Sequence, residues 1–222
     1  MDTVAQSSII SATQTAYSAL RQMIVTGELR PGEKLKIENL KERLETGASP
    51  IREALSLLVS DQLVERLDQR GFRAAPVSHQ NFSEILMLRC ALEDMALRQS
   101  IAHADDAWEE TIVLAHHRMA RVDPADIPVF EELHKTFHMA MLANCASPIL
   151  LRYCSQLYDL NVRYRYLAGR SQNYGTRDVP GEHREILEAA VARDADLASS
   201  RLRSHYQQTG EFLRQSSEVP GA

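Results

Sequence analysis

No apolar run in this 222-residue chain approaches the ~20 residues that a membrane-crossing helix needs. No charged, apolar and small-residue leader opens it either, which predicts a cytoplasmic protein. Cysteine is scarce: Cys90, Cys145 and Cys154 are an odd, scattered set, which excludes a disulfide framework and predicts reduced thiols. There is no surplus of basic residues, since 25 Lys and Arg face 30 Asp and Glu for a net charge of −5, so no overall basic coat is present. No H-E-x-x-H metalloprotease signature occurs, and neither internal repeats nor low-complexity tracts interrupt the chain.

What is present falls into two parts. The length leaves room for one domain of about 75 residues and another of about 140. We assign 1–12 to a flexible arm, 13–77 to the first domain and 78–222 to the second. The first 76 residues hold ten basic and ten acidic side chains, so the whole −5 lies in the second part.

The most informative segment is 47–77. Ser49 and Pro50 suit the N-cap and first position of a helix. Ile51, Ala54, Leu55, Leu58 and Val59 then recur at helical spacing and leave Arg52, Glu53 and Ser56 on other faces. Leu63–Leu67 and Phe72–Pro76 flank the polar turn Asp68-Gln69-Arg70-Gly71, which predicts a hairpin. Upstream, Ala16, Tyr17, Leu20, Met23 and Ile24 mark a helix over Thr13–Thr26 stopped by Gly27. A turn over Glu28–Leu35 follows, with Pro31-Gly32 as its strongest signal, then a short helix over Ile37–Leu44.

This order is a winged helix-turn-helix: a helix for the DNA major groove and a wing for the backbone beside it. Lys36, Ser49, Arg52, Arg70, Gly71 and Arg73 are its candidate DNA-binding residues, with Lys41 and Arg43 as further members of a basic face.

From Ser78 onward the pattern is all-helical. Helices are expected over Ser78–His103, Asp105 or Asp106 to Ala120, Pro128–Cys145, Pro148–Ala168, Gly181–Ala192 and Asp194–Leu213, with a loop over 169–180. Such a bundle can enclose a ligand. His134 and His138 are four apart and share a helix face; His183 and His205 lie on later helices. Imidazoles from three helices can meet on one divalent cation, although a histidine on a helix is more often a surface or satisfied core residue.

The order Tyr17-x-x-Leu20-x-x-x-Ile24-x-x-Gly27-x-Leu29-x-Pro31-Gly32-x-x-Leu35, then Ser49-Pro50-Ile51-Arg52-Glu53-Ala54-Leu55-x-x-Leu58, then Leu63-Val64 and Arg70-Gly71-Phe72, resembles the DNA-binding domain of GntR-family regulators. Ala48 stands where that family usually has a base-contacting arginine, so readout would rest more on Arg52 and Ser49. Arg89-x-x-Leu92-Glu93, His134-x-x-Phe137-His138, Glu182-His183-x-x-Ile186-Leu187 and His205 resemble the FCD ligand-binding domain of the FadR subfamily, an all-α bundle of six or seven helices.

The resemblance implies a mostly α protein that binds operator DNA as a homodimer and holds a divalent metal through His138, His183 and His205. His134 would join them where the family has an acidic residue. A four-nitrogen set favours zinc, with nickel as the alternative. Neutral ligands leave the ion's charge uncompensated, so a small carboxylate is the expected effector. Arg89, Arg163 and Tyr164, with Arg165 beside them, are the candidate effector contacts, and Arg89 could equally pair with Glu93 one turn on. The sequence also allows a metal-dependent hydrolase or a winged-helix protein-interaction module.

Overall fold

A computed structural model describes residues 11–123, 126–167 and 177–215, so most of the expected arm and of the 169–180 loop lies outside the described residues. The chain forms two compact units that divide between Val77 and Ser78.

In the first unit, α1 (Ala12–Val25), α2 (Ile37–Arg43) and α3 (Ala48–Ser60) pack around a small sheet of β1 (Lys34–Leu35), β2 (Val64–Leu67) and β3 (Gly71–Ala74). Helix α1 packs on α3, and Leu20 and Ile24 of the one and Ile51, Leu55 and Leu58 of the other are all fully buried. Residues 34–35, expected to belong to a turn, instead form an edge strand. Lys34 lies opposite Arg73 and Leu35 opposite Phe72, which makes the sheet three-stranded in the order β1-β3-β2. The helix-turn-helix recognition element starts earlier than Ser49. Gly47 is the N-cap of α3, and Pro50 falls inside the first turn, where the backbone N–H that proline lacks would be unpaired anyway. Ser49 therefore caps nothing, and its hydroxyl donates to Glu53 at 3.3 Å. The wing turn takes positive φ at Gln69 (54°) and Gly71 (93°), the second being a conformation suited to glycine.

The second unit is a bundle of α4 (His79–Ala102), α5 (Asp106–Ala120), α6 (Ile127–Leu142), α7 (Pro148–Leu167), α8 (Val179–Val191) and α9 (Ala195–Gln215). Side-chain caps set five of the six starts: Ser78 accepts from Asn81 N, Asp105 from Trp108 N, Ser147 from Leu150 N, Asp178 from Gly181 N and Asp194 from Leu197 N. Because Asp178 caps α8, that helix begins two residues before the expected Gly181, with Pro180 in its first turn. Helix α6 ends at Leu142, before the expected Cys145, and the chain turns through Ala146 at φ 55°.

Helix α4 packs on α7 and α9, α5 on α6 and α8, and α8 on α9. The α4–α9 contact is close at Gly210, where an added Cβ would overlap the Leu86 side chain. Both residues are buried, so Gly210→Ala is expected to lower stability by about 1–3 kcal/mol, as overpacking does. Urea denaturation of the two forms measures it, and equal midpoints would contradict the packing. The three cysteines carry no disulfide.

Candidate functional site

Most buried side chains of the bundle are apolar, and the exceptions cluster. Arg89, Glu93, His134, His138, Asn161, Arg163, His183 and His205 are each under 5% exposed. Burying that much polarity is costly unless every group is partnered, so such a cluster marks function more readily than folding.

Helix α6 supplies His134 and His138, α8 supplies His183, and α9 supplies His205. One nitrogen from each ring lies within 4.8 Å of all the others. The Nε2 atoms of His134 and His183 are 3.0 Å apart, and those of His138 and His134 are 3.1 Å apart. His134 thus stands at the centre of the set rather than outside it. Burial holds His134, His138 and His183 well below the usual imidazole range, with neighbouring imidazoles adding to the effect. Burial also takes His205 down to about 4, although Glu182 pulls the other way. Neutral rings with converging lone pairs are the form that binds a metal ion.

The outer nitrogens are held as well. His134 Nδ1 lies 2.5 Å from the Tyr158 hydroxyl, and His138 Nδ1 lies 2.9 Å from the Tyr206 hydroxyl. His205 Nδ1 lies 2.8 Å from Glu182 Oε2. Burial would raise the Glu182 carboxyl, but hydrogen bonds from His205 and Arg177 outweigh it and bring the group to about 2. Burial pushes Tyr158 and Tyr206 up, so both hydroxyls keep their protons.

A cavity of about 370 Å³ lies against His134, His183 and His205. Met119, Val122, Phe130, Val179 and Pro180 give it apolar walls, and Arg165, Arg177 and Arg184 bring positive charge. The candidate effector contacts fare differently. Arg89 does not line this cavity. Its Nε donates to Glu93 at 2.7 Å and its Nη1 to Asn161 at 2.9 Å, and its guanidinium lies over the Tyr206 ring at 4.1 Å. It is therefore the buried partner of Glu93. Tyr164 is also elsewhere: its hydroxyl donates to Asn81 at 2.7 Å and fastens α7 to the start of α4. Arg163 is buried away from the cavity lining, and burial lowers it to about 10.

Sequence reasoning missed Arg177, Arg184, Tyr158 and Tyr206. Arg177 lay in what read as a loop, and the tyrosines carry no spacing signal. Glu131, one turn before His134, was a signal that could have been used.

In the first unit Lys36, Ser49, Arg52, Arg70 and Gly71 are exposed. Lys36 is the N-cap position of α2. Arg52 lines a groove between α3 and the wing with Ser56, Arg66, Gln69 and Gly71. Arg66, also missed from sequence, donates to Ser56 Oγ at 3.2 Å and lies 5.5 Å from the Phe72 ring centre. Arg73 is half-buried and engaged across the strands with Glu65 at 2.6 Å.

Residues 84–208, more than half of the chain, match the FCD domain, and residues 12–73 match the bacterial regulatory proteins of the gntR family. The chain belongs to the GntR family. This GntR-family chain is 38% identical to the HTH-type transcriptional regulator BphR of Paraburkholderia xenovorans (strain LB400) over 94% of its own length and 86% of the relative's. It is 32% identical to the HTH-type transcriptional repressor GlaR of Escherichia coli (strain K12), over 85% of its own length and 90% of that protein's. The solved structure of E. coli McbR/YncC shares the fold, with a TM-score of 0.79 at 24% identity over 93% of this chain and 99% of that one.

Both matched families and the relatives are transcription regulators rather than enzymes, and the helix-turn-helix makes operator DNA the partner. Among the described residues no helix is long and apolar enough to cross a membrane.

Proposed function

We propose that this GntR-family regulator is a cytoplasmic homodimeric repressor released from its operator by a small carboxylate bound in the bundle cavity beside a divalent cation. The observation that carries the reading is the opening of three buried, neutral histidines onto one cavity. The donor set fits the ion: four nitrogens within 4.8 Å of one another, without a carboxylate among them, suit zinc or nickel. His134, His138, His183 and His205 would hold it. Such an ion supplies positive charge and a coordination position for a carboxylate oxygen.

The chain's own residues then define the ligand. Arg165 is paired with Glu131, and Arg177 with Glu182 at 2.5 Å. Their charge is already balanced, so neither offers a free guanidinium for the effector. Arg184 is exposed at the cavity and has no carboxylate partner among the described residues. It can meet a second anionic group, while Met119, Val122 and Phe130 face an apolar middle. A short dicarboxylate fits that arrangement.

On DNA, a two-fold dimer presents two α3 helices to a pseudo-palindromic site. The effector must bind the released form more tightly than the DNA-bound form, and that difference sets the size of the response.

The test is fluorescence anisotropy of zinc-loaded protein on duplexes tiled from the DNA upstream of its coding region. Dicarboxylates and monocarboxylates of matched length are the titrants. A dicarboxylate is expected to weaken one short site at least about tenfold, a coupling within the usual range. Arg184→Ala should erase the advantage of the second carboxylate. Operator affinity that no carboxylate changes would refute the effector reading.

A further inference from the structure

Three of the four histidines are braced in one repeated way. Tyr206 donates to Glu93 at 2.5 Å, so its oxygen must accept the proton of His138 Nδ1. Glu93 in turn pairs with Arg89 at 2.7 Å. Tyr158 is hydrogen-bonded to Glu131, and its oxygen faces His134 Nδ1 at 2.5 Å. Glu131 pairs with Arg165. At 3.4 Å from the same nitrogen, Arg165 is the weaker neighbour of that ring. Glu182 takes His205 Nδ1 directly at 2.8 Å and pairs with Arg177, whose Nη2, at 3.2 Å from the same nitrogen, is its more distant neighbour. Each brace runs from arginine to glutamate to histidine, with a tyrosine hydroxyl between them in two cases. No such brace reaches the outer nitrogen of His183 among the described residues.

We infer that Tyr206, Tyr158 and Glu182 are positioning residues of the metal centre. They place the ring protons of His138, His134 and His205 on Nδ1 and leave Nε2 bare toward the site. The inference rests on the metal reading above. It goes beyond naming ligands, because it says which nitrogen of each ring binds and what keeps it so. A hydrogen bond to the outer N–H also raises the donor strength of the inner nitrogen. The three arginines balance the charges that this arrangement buries, and the tyrosines carry the contact where no carboxylate reaches the ring.

The full-length protein tests this with metal alone. Zinc affinity is measured by competition with a chromophoric chelator, and ligand geometry by the visible absorption of the cobalt form. Tyr206→Phe keeps the ring that stacks on Arg89 and removes only the hydroxyl, and Tyr158→Phe does the same on the other brace. Each is expected to lose about 10–100-fold in zinc affinity and to shift the cobalt spectrum. Glu182→Gln should lose less, because the amide oxygen can still accept. Tyr164→Phe, a buried tyrosine of the same bundle outside the braces, should stay within about twofold of wild type. Variants Tyr206→Phe and Tyr158→Phe that bind like wild type, or a Tyr164→Phe that loses as much as they do, would overturn the inference and leave the metal centre standing. A wild type that takes up no cobalt or zinc would overturn the metal reading itself.

Discussion

His138→Ala is expected to leave the protein folded and to weaken cation binding about 100-fold. His138 is 1% exposed, its Nε2 faces His134, and its Nδ1 is fixed by Tyr206. A four-ligand structural zinc is worth on the order of 12 kcal/mol, so one ligand of four carries roughly 3 kcal/mol, or about 100-fold in affinity. His183→Ala is expected to cost less, because among the described residues no tyrosine or carboxylate braces the outer nitrogen of that ring. Metal content after zinc loading and dialysis reads both effects. Bound ion at 100 times its dissociation constant adds about 2.7 kcal/mol to stability, so a chelator should lower the melting temperature of wild type and leave that of His138→Ala unchanged. Full metal content in His138→Ala would remove it from the ligand set.

Arg52→Ala is expected to weaken operator binding by about 1–3 kcal/mol, the range of a base-directed arginine. Arg52 is exposed on α3 and faces the groove whose other wall is the wing. Arg70, at the exposed wing tip, should act differently: Arg70→Ala weakens all sequences alike and reduces the salt dependence by about one phosphate contact. Arg73→Ala should do less to DNA binding, since its guanidinium is already engaged by Glu65. Binding isotherms on specific and scrambled duplexes at several salt concentrations separate these cases. Unchanged affinity and salt slope in both Arg52→Ala and Arg70→Ala would remove this face from DNA recognition.

The elements were legible in the sequence wherever one side of a helix faces the core over several turns. Ile51, Ala54, Leu55 and Leu58 are an instance, and all four are fully buried. Strand β1 was not legible, because two residues carry no alternation and become a strand only through their pairing with β3. Helix α4 shows the limit in the other direction. Arg89 and Glu93 at i,i+4 read the same on a wet surface as in a dry core, and only the packing of α4 against α7 and α9 decides the matter. The spacing of His134 and His138 was visible. Their meeting with His183 and His205 depends on helices that are distant in sequence, as does the contact of Tyr206 with Glu93. Arg66 was overlooked because its partner Ser56 sits on the helix before it, where no strand pattern points.

The cavity also dictates a sequence of events. His138 does not line the cavity that the other three imidazoles reach, so among the described residues the centre opens through the space that Phe130, Val122 and Pro180 line. If this space holds both the cation and the anion proposed above, the cation would have to arrive before the anion that fills the same passage and would depart only after that anion has left. On the proposed reading, effector and ion would therefore be threaded in order, the ion first in and last out. A cell with ample effector would keep its regulator charged with metal through intervals when free metal is scarce, because the occupant of the doorway slows the escape of what lies behind it.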